Sequence, residues 1–296
     1  MTQTLGLLGL GLMGTAIARR LIDAGHKVVG YDIADVRRHE FTKLGGVAVQ
    51  SVQEVARASN ITLLSVMNIN QVEEVVEGKG GLVENRSPPN DKKIVLCTIT
   101  AEPEALIRLS ERVISKGIEF LDTPVSGTSQ QLLRGDGLGL IAGNEKAIKE
   151  VQKILDVIYP RQFFTGSAGT GTKTKLAINH ILGLNRVALA EGLVFADRLG
   201  LDLETFLEIA RQSAAYSQIM DVKGPKMIDR EFSPASKISQ HLKDFRIIRQ
   251  LAENLGQQLP MAQKLIEILE ACERHGDGEL DNAISIEEIR RRRIQV

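Results

Sequence analysis

The sequence predicts an α/β domain built on a doubly wound, mostly parallel sheet, followed by an all-α domain. Three observations carry this. Short apolar runs alternate with helical segments over residues 1–166. A glycine-rich turn joins the first run to the first helix. Beyond Gly166 strand-like runs stop, and amphipathic helical patterns continue to the end. A chain of 296 residues is about twice the usual domain length, so two domains are expected, at 1–166 and 167–296.

Taken in order, Leu5-Gly6-Leu7-Leu8 reads as a buried strand, and Met13 to Ala24 as a helix stopped by Gly25. Lys27 to Asp32 is a second strand, which completes a βαβ opening. Apolar runs at Ile61 to Val66, Lys93 to Cys97, Ile118 to Leu121 and Leu138 to Ala142 continue the alternation. The helical part is punctuated by Gly200, Pro225, Pro234 and Pro260. No proline interrupts Thr172 to Leu199, which therefore reads as one long helix leaving the first domain.

Composition narrows the function classes. Thirty-seven basic residues balance thirty-seven acidic ones, so no basic excess exists to neutralise a phosphate backbone, and nucleic acid is not expected as a partner. The run Arg290-Arg291-Arg292-Arg293 reads as a solvated helix end rather than a docking tail. Cys97 and Cys272 are read as reduced thiols, and neither has metal-ligand spacing. Leu5 to Ala18 is apolar, but no side-chain positive charge precedes it and it is too short for a membrane span of about 20 residues. A cytoplasmic protein with no membrane partner and no metal is the expectation.

The first candidate site is Gly9-Leu10-Gly11-Leu12-Met13-Gly14, a G-x-G-x-x-G turn between strand and helix, the fingerprint of a Rossmann dinucleotide fold. Its glycines permit a tight turn and close approach of backbone to a pyrophosphate, and the helix N-terminus offers N–H groups to the anion. Asp32 ends the second strand, eighteen residues after Gly14, where a carboxylate can accept from the adenosine ribose hydroxyls. It also repels a 2′-phosphate, and Ile33 beside it brings no cation, so NAD is favoured over NADP. Arg37 and Arg38 are read as solvated residues of the next helix.

Four further stretches accompany this fingerprint: Cys97-Thr98, Asp122-Thr123-Pro124-Val125-Ser126-Gly127, Gly169 through Lys175 to Asn179, and Lys243-Asp244-Phe245. In this order and spacing, across nearly the whole chain, they resemble the β-hydroxyacid dehydrogenases, a family that includes 3-hydroxyisobutyrate dehydrogenase and tartronate semialdehyde reductase. The resemblance implies hydride transfer between NAD(H) and a small β-hydroxyacid or the corresponding semialdehyde or keto acid. It makes Lys175 the catalytic residue, Asn179 its substrate-orienting neighbour, and Ser126 and Gly127 a carboxylate-binding turn. Lys243 approaches nicotinamide and substrate, and Thr98, with Met67 and Asn68, lies along the cofactor. A homodimer or homotetramer is implied as well.

The residues themselves agree with this reading. Lys175 and Asn179 are four apart and share one helix face. A hydride leaving a hydroxyl carbon requires the hydroxyl proton to leave too, and a partly desolvated lysine can take it. Three positions depart from the family pattern: Thr128 stands where a second glycine is usual, Cys97 where serine is common, and Asn68 where proline is common. Thr128 adds a Cβ and a hydroxyl beside the carboxylate turn. His180 points about 100° away from Asn179 and is assigned to packing or solvent, and Tyr216 is either pocket lining or core. Two alternatives stand beside the dehydrogenase: an imine reductase, which generally lacks a lysine at this place, and a non-catalytic module that binds a dinucleotide without turnover.

Overall fold

A computed structural model of the chain describes residues 3–85 and 92–294. Contacts divide the chain into two compact units, Met1–Lys175 and Leu176–Val296.

The first unit alternates strands and helices: β1 (Thr4–Leu8), α1 (Leu12–Asp23), β2 (Lys27–Tyr31), α2 (Asp35–Lys43), β3 (Val47–Ala48), α3 (Val52–Ala58), β4 (Ile61–Leu64) and α4 (Ile69–Glu77). It continues through β5 (Lys93–Cys97), α5 (Pro103–Ser115), β6 (Ile118–Asp122), β7 (Val125–Ser126), α6 (Ser129–Arg134), β8 (Leu138–Ala142), α7 (Glu145–Ile158) and β9 (Arg161–Gly166). The sheet order is β3-β2-β1-β4-β5-β6-β8-β7, with β9 on β8. Pairings from β3 to β6 are parallel, whereas β8 runs antiparallel to β6 and β7. The expected Rossmann sheet is therefore present, with an antiparallel turn added at one side.

Successive strand residues point to opposite faces, so each strand feeds two cores. Leu7, Leu63, Leu96 and Leu121 pack with α1 and α7 on one face. Leu8, Leu64, Cys97 and Phe120 pack with α3, α4 and α5 on the other. Near-continuous apolar runs are what a strand covered on both faces requires.

Helix α8 (Thr170–Arg198) is the long helix expected from the proline-free stretch. The unit boundary falls inside it, nine residues past Gly166, because its first turn is tied to the sheet by Asp122. The second unit holds the rest of α8 with α9 (Leu203–Gln212), α10 (Gln218–Ile228), α11 (Ile238–Asn254), α12 (Pro260–Arg274), a single 3₁₀ turn at Asn282–Ile284, and α13 (Ser285–Arg291). One core joins Leu176, Phe245, Ile248, Leu265 and Leu269 from α8, α11 and α12. A second joins Leu189, Leu193, Leu207, Met220 and Ile286. Among the described residues no helix is long and apolar enough to cross a membrane.

Candidate active site

Parallel strands bring their C-terminal ends to one edge of a sheet, and that edge collects most of the residues singled out in the first unit. Gly9 follows β1, Asp32 follows β2, Met67 and Asn68 follow β4, Thr98 follows β5, and Asp122 ends β6. With strands about 4.8 Å apart, neighbours in the order β2-β1-β4-β5-β6 stand side by side along this edge.

The glycine turn divides its labour. Gly9 has φ +92°, and a Cβ there would lie 2.4 Å from the Ser65 carbonyl oxygen. A Cβ on Gly14 would lie 2.0 Å from the Gly9 oxygen, so these two glycines let loop, strand and helix close on one another. Gly11 is different: a Cβ there would meet only Arg37, at 3.7 Å. Its backbone faces open space at the start of α1, where no side chain caps the helix. Uncapped N–H groups above an open glycine are a fitting seat for a pyrophosphate. Leu10 is buried, Met13 packs against the core, and Leu12 is exposed.

Asp32 is buried and held in place. Its Oδ2 accepts from the Leu10 N–H at 2.8 Å and its Oδ1 from the Ala34 N–H at 2.9 Å. Arg37 Nη1 lies 3.3 Å from Oδ2. Arg38 donates to the Asp32 carbonyl and the Asp35 carboxylate and lies over the Tyr31 ring. Neither arginine is the merely solvated residue expected: both turn back toward the strand end, because α2 starts only three residues after Asp32.

Asn68 caps α4, its side-chain oxygen accepting from the Gln71 N–H at 3.0 Å, and Met67 is exposed. Thr98 is buried, with N–H and hydroxyl both donating to the Leu64 carbonyl, at 3.0 and 2.8 Å. The Cys97 thiol beside it is pushed up to about 12 by burial and by the Asp122 charge, which makes it inert.

Ser126 lies in β7 and Gly127 has φ +147°, a conformation that favours glycine. Thr128 is the N-cap of α6, in a reciprocal capping box. Its N–H donates to Gln131 Oε1 at 2.8 Å, and its hydroxyl oxygen accepts from the Gln131 N–H at 3.1 Å. The hydroxyl that Thr128 adds to the turn therefore serves as the cap of α6.

Asp122 and Asp244 stand inside the sequence motifs, but sequence reasoning assigns neither a role. Asp122 is buried and receives Gly169 and Thr172 at the start of α8, three residues before Lys175. Burial raises its carboxyl to about 6 despite those hydrogen bonds. Asp244 is the common partner of two residues in the second unit: Oδ2 accepts from Asn179 Nδ2 at 2.9 Å, and Oδ1 lies 3.0 Å from Lys243 Nζ. The only signal for either is a carboxylate too apolar in its neighbourhood to be solvated. Lys175 is buried in α8, one turn before Asn179.

Other residues fall outside this arrangement. His180 and His241 flank the Phe245 ring, with centroids 6.0 and 5.0 Å away. Tyr216 is exposed and donates to Asp221 at 2.6 Å. The arginine run near the C-terminus is answered by acids, Arg290 on Glu287, Arg291 on Asp277 and Arg292 on Glu288. No group of metal-ligating side chains occurs among the described residues.

Residues 4–166 match the model of the NAD binding domain of 6-phosphogluconate dehydrogenase. Residues 169–289 match that of the NAD-binding domain of NADP-dependent 3-hydroxyisobutyrate dehydrogenase. The chain is 31% identical to 2-hydroxy-3-oxopropionate reductase of Escherichia coli (strain K12), over 96% of each. It is 30% identical to glyoxylate/succinic semialdehyde reductase 1 of Arabidopsis thaliana, over 96% of this chain and 98% of that one. The solved 3-hydroxyisobutyrate dehydrogenase of Salmonella typhimurium shares the fold, with TM-score 0.87 over 96% of this chain and 99% of that chain at 23% identity.

Proposed function

This chain belongs to the β-hydroxyacid dehydrogenase family of NAD(P)-dependent oxidoreductases, and on that premise we propose that it interconverts a small β-hydroxyacid with its semialdehyde or keto acid, with NAD preferred and Lys175 as the proton-transfer group. The observation that carries the reading is the ordered set around Asp244, which holds Asn179 and Lys243 together, with the buried Lys175 one helical turn before Asn179.

Each residue has a defined task in this reading. The open backbone at Gly11 and the first turn of α1 hold the pyrophosphate, and Asp32 faces the adenosine ribose. The nicotinamide, when bound, supplies hydride transfer. Lys175 as an ammonium gives a proton to the carbonyl oxygen during reduction, and as an amine takes the hydroxyl proton during oxidation. Asp244 accepts from Asn179 Nδ2, which leaves the amide oxygen as the atom that would accept from the substrate hydroxyl. Ser126 and Gly127 receive the substrate carboxylate, the Thr128 N–H being occupied by Gln131.

The test is absorbance of reduced nicotinamide with purified protein and a panel of β-hydroxyacids and semialdehydes. Turnover with at least one acid–semialdehyde pair is expected. Dinucleotide binding without turnover on every compound would instead support a non-catalytic binding module.

A further inference from the structure

In the helical unit one buried cation is left over when the charges around it are paired off. Arg186 of α8 is 2% exposed, and its Nε and Nη2 atoms, both buried, have no hydrogen-bond partner among the described residues. The N–H groups of these two nitrogens point the same way along one edge of the planar guanidinium, the edge that grips an anion with two hydrogen bonds. Burial pulls the group down only to about 10, so it stays charged at neutral pH.

The acids nearby do not answer it. Asp281 is the carboxylate whose charge acts on Arg186. Its oxygens are already filled, Oδ1 by Lys223 Nζ at 2.6 Å and the Ala283 N–H at 3.0 Å, Oδ2 by the N–H groups of Ala235 and Ser236 at 3.0 and 3.1 Å. The Cys272 thiol, also buried and within reach of the Arg186 charge, is pushed up to about 12 by burial and by Glu288 and Asp277, so it stays protonated. Asp277 and Glu288 are themselves paired with Arg291 and Arg292. Arg186 and Lys223 therefore share one carboxylate, and the cluster carries an excess positive charge. Water at the open edge would satisfy the two donors and leave that charge in place, whereas a monovalent anion answers both, and a buried charge without a counterion is the costlier of the two defects.

We propose that the Nε–Nη2 edge of Arg186 is a buried binding site for a small monovalent anion of the chloride class, which completes the cluster of Arg186, Lys223 and Asp281. Both nitrogens are shut off from solvent, so the site takes an ion little larger than a water molecule rather than a phosphate or an organic acid. None of the three residues is among those assigned to cofactor or substrate.

Thermal unfolding of protein dialysed into sodium gluconate, then titrated with sodium chloride at constant ionic strength, tests this, gluconate being too large for the enclosed edge. Wild type should gain about 2–5 °C, saturably, once chloride reaches about ten times its dissociation constant. Arg186→Met should unfold no earlier than wild type in gluconate and should show no such gain. Bromide, a heavier analogue of chloride, locates the ion without a variant: wild-type crystals soaked in sodium bromide should give an anomalous peak within hydrogen-bond reach of both Nε and Nη2. A wild type indifferent to chloride, an equal gain in Arg186→Met, or a water at this edge with no bromine signal overturns the proposal.

Discussion

Thr172 stands on Asp122 through two hydrogen bonds, its N–H donating to Oδ2 and its hydroxyl to Oδ1, each at 2.8 Å. The Gly169 N–H adds a third at 3.1 Å. A Cβ on Gly171 would lie 2.8 Å from the Leu140 carbonyl oxygen and 3.0 Å from Asp122 Oδ2, so only glycine lets the helix start this close to the strand end. One buried carboxylate thus ties down Gly169 and Thr172, crowds Gly171, and fixes the turn that precedes Lys175. Tyr159 reinforces the anchor by donating to the Thr123 carbonyl at 2.9 Å.

Asp122 gives a stability prediction with a defined sign. Its folded pKa is raised by burial to about 6, above the unfolded value, so the native state holds the proton more tightly. The stability it contributes is fully present below about pH 4 and is lost as pH rises through about 6. Asp122→Asn keeps an acceptor for the two N–H groups without the buried charge. The difference in unfolding free energy between variant and wild type should therefore grow in favour of the variant between about pH 4 and 6, then level, to the order of 3 kcal/mol. Urea denaturation across this range measures it, and a flat difference would show that burial does not govern this carboxyl. Asp122→Ala, which strands Gly169 and Thr172, should cost stability at every pH.

A second pair of buried charges should respond in opposite ways. Lys223 Nζ donates to Asp281 Oδ1 at 2.6 Å, and both side chains are buried. Arg186, also buried, has Nε and Nη2 without hydrogen-bond partners, and burial pulls its guanidinium down to about 10. Lys223→Met should cost about 3–5 kcal/mol, because Asp281 loses its ion-pair partner, whereas Arg186→Met should be neutral or stabilising. Thermal unfolding of the two variants decides the matter. Equal damage from both would mean that the Arg186 guanidinium carries as much of the Asp281 charge as Lys223 does.

The helical unit leaves Ile181 and Phe195 of α8, Leu199 just beyond its end, and Ile209 of α9 exposed, with nothing near a Cβ placed on Gly192. Phe195 alone is 65% exposed. Such a set is more than isolated surface apolar residues account for, and self-association through it is expected. Sedimentation at micromolar concentration should give a dimer or larger species, and Phe195→Lys should shift it toward monomer while the thermal unfolding of each fold is retained. A monomeric wild type would contradict this.

What the sequence made legible was whatever is local. Buried strands such as Lys93–Cys97 and Leu138–Ala142 were readable to the residue because both faces are covered and the run is continuously apolar. The two-residue strands Val47–Ala48 and Val125–Ser126 were too short to show a pattern. The edge strand Arg161–Gly166 shows no buried face in its pattern, since none of its residues is buried and Phe163 and Phe164 are exposed. The glycine loop was legible because close backbone approach dictates glycine at positions 9 and 14. The partners that position the other residues lie far away in sequence, Asp122 fifty residues from Thr172 and Asp244 sixty-five from Asn179. No periodicity encodes such contacts. Arg37 was assigned to solvent because helical position alone does not reveal that its side chain folds back across the loop.

Lys175 carries the central claim, and kcat of its variants tests it most directly. Lys175→Ala should leave NAD affinity nearly intact, since the glycine loop and Asp32 are unchanged, while lowering kcat by about 10²–10⁴-fold, the usual worth of general acid–base catalysis. Lys175→Arg should fail as well, because a guanidinium with a pKa above about 12 cannot readily release and recover the proton. In the oxidative direction the pH profile of kcat/KM should show one ionisation that disappears in Lys175→Ala. A folded Lys175→Ala variant with near wild-type kcat and an unaltered profile would contradict this, because another group would then be moving the proton.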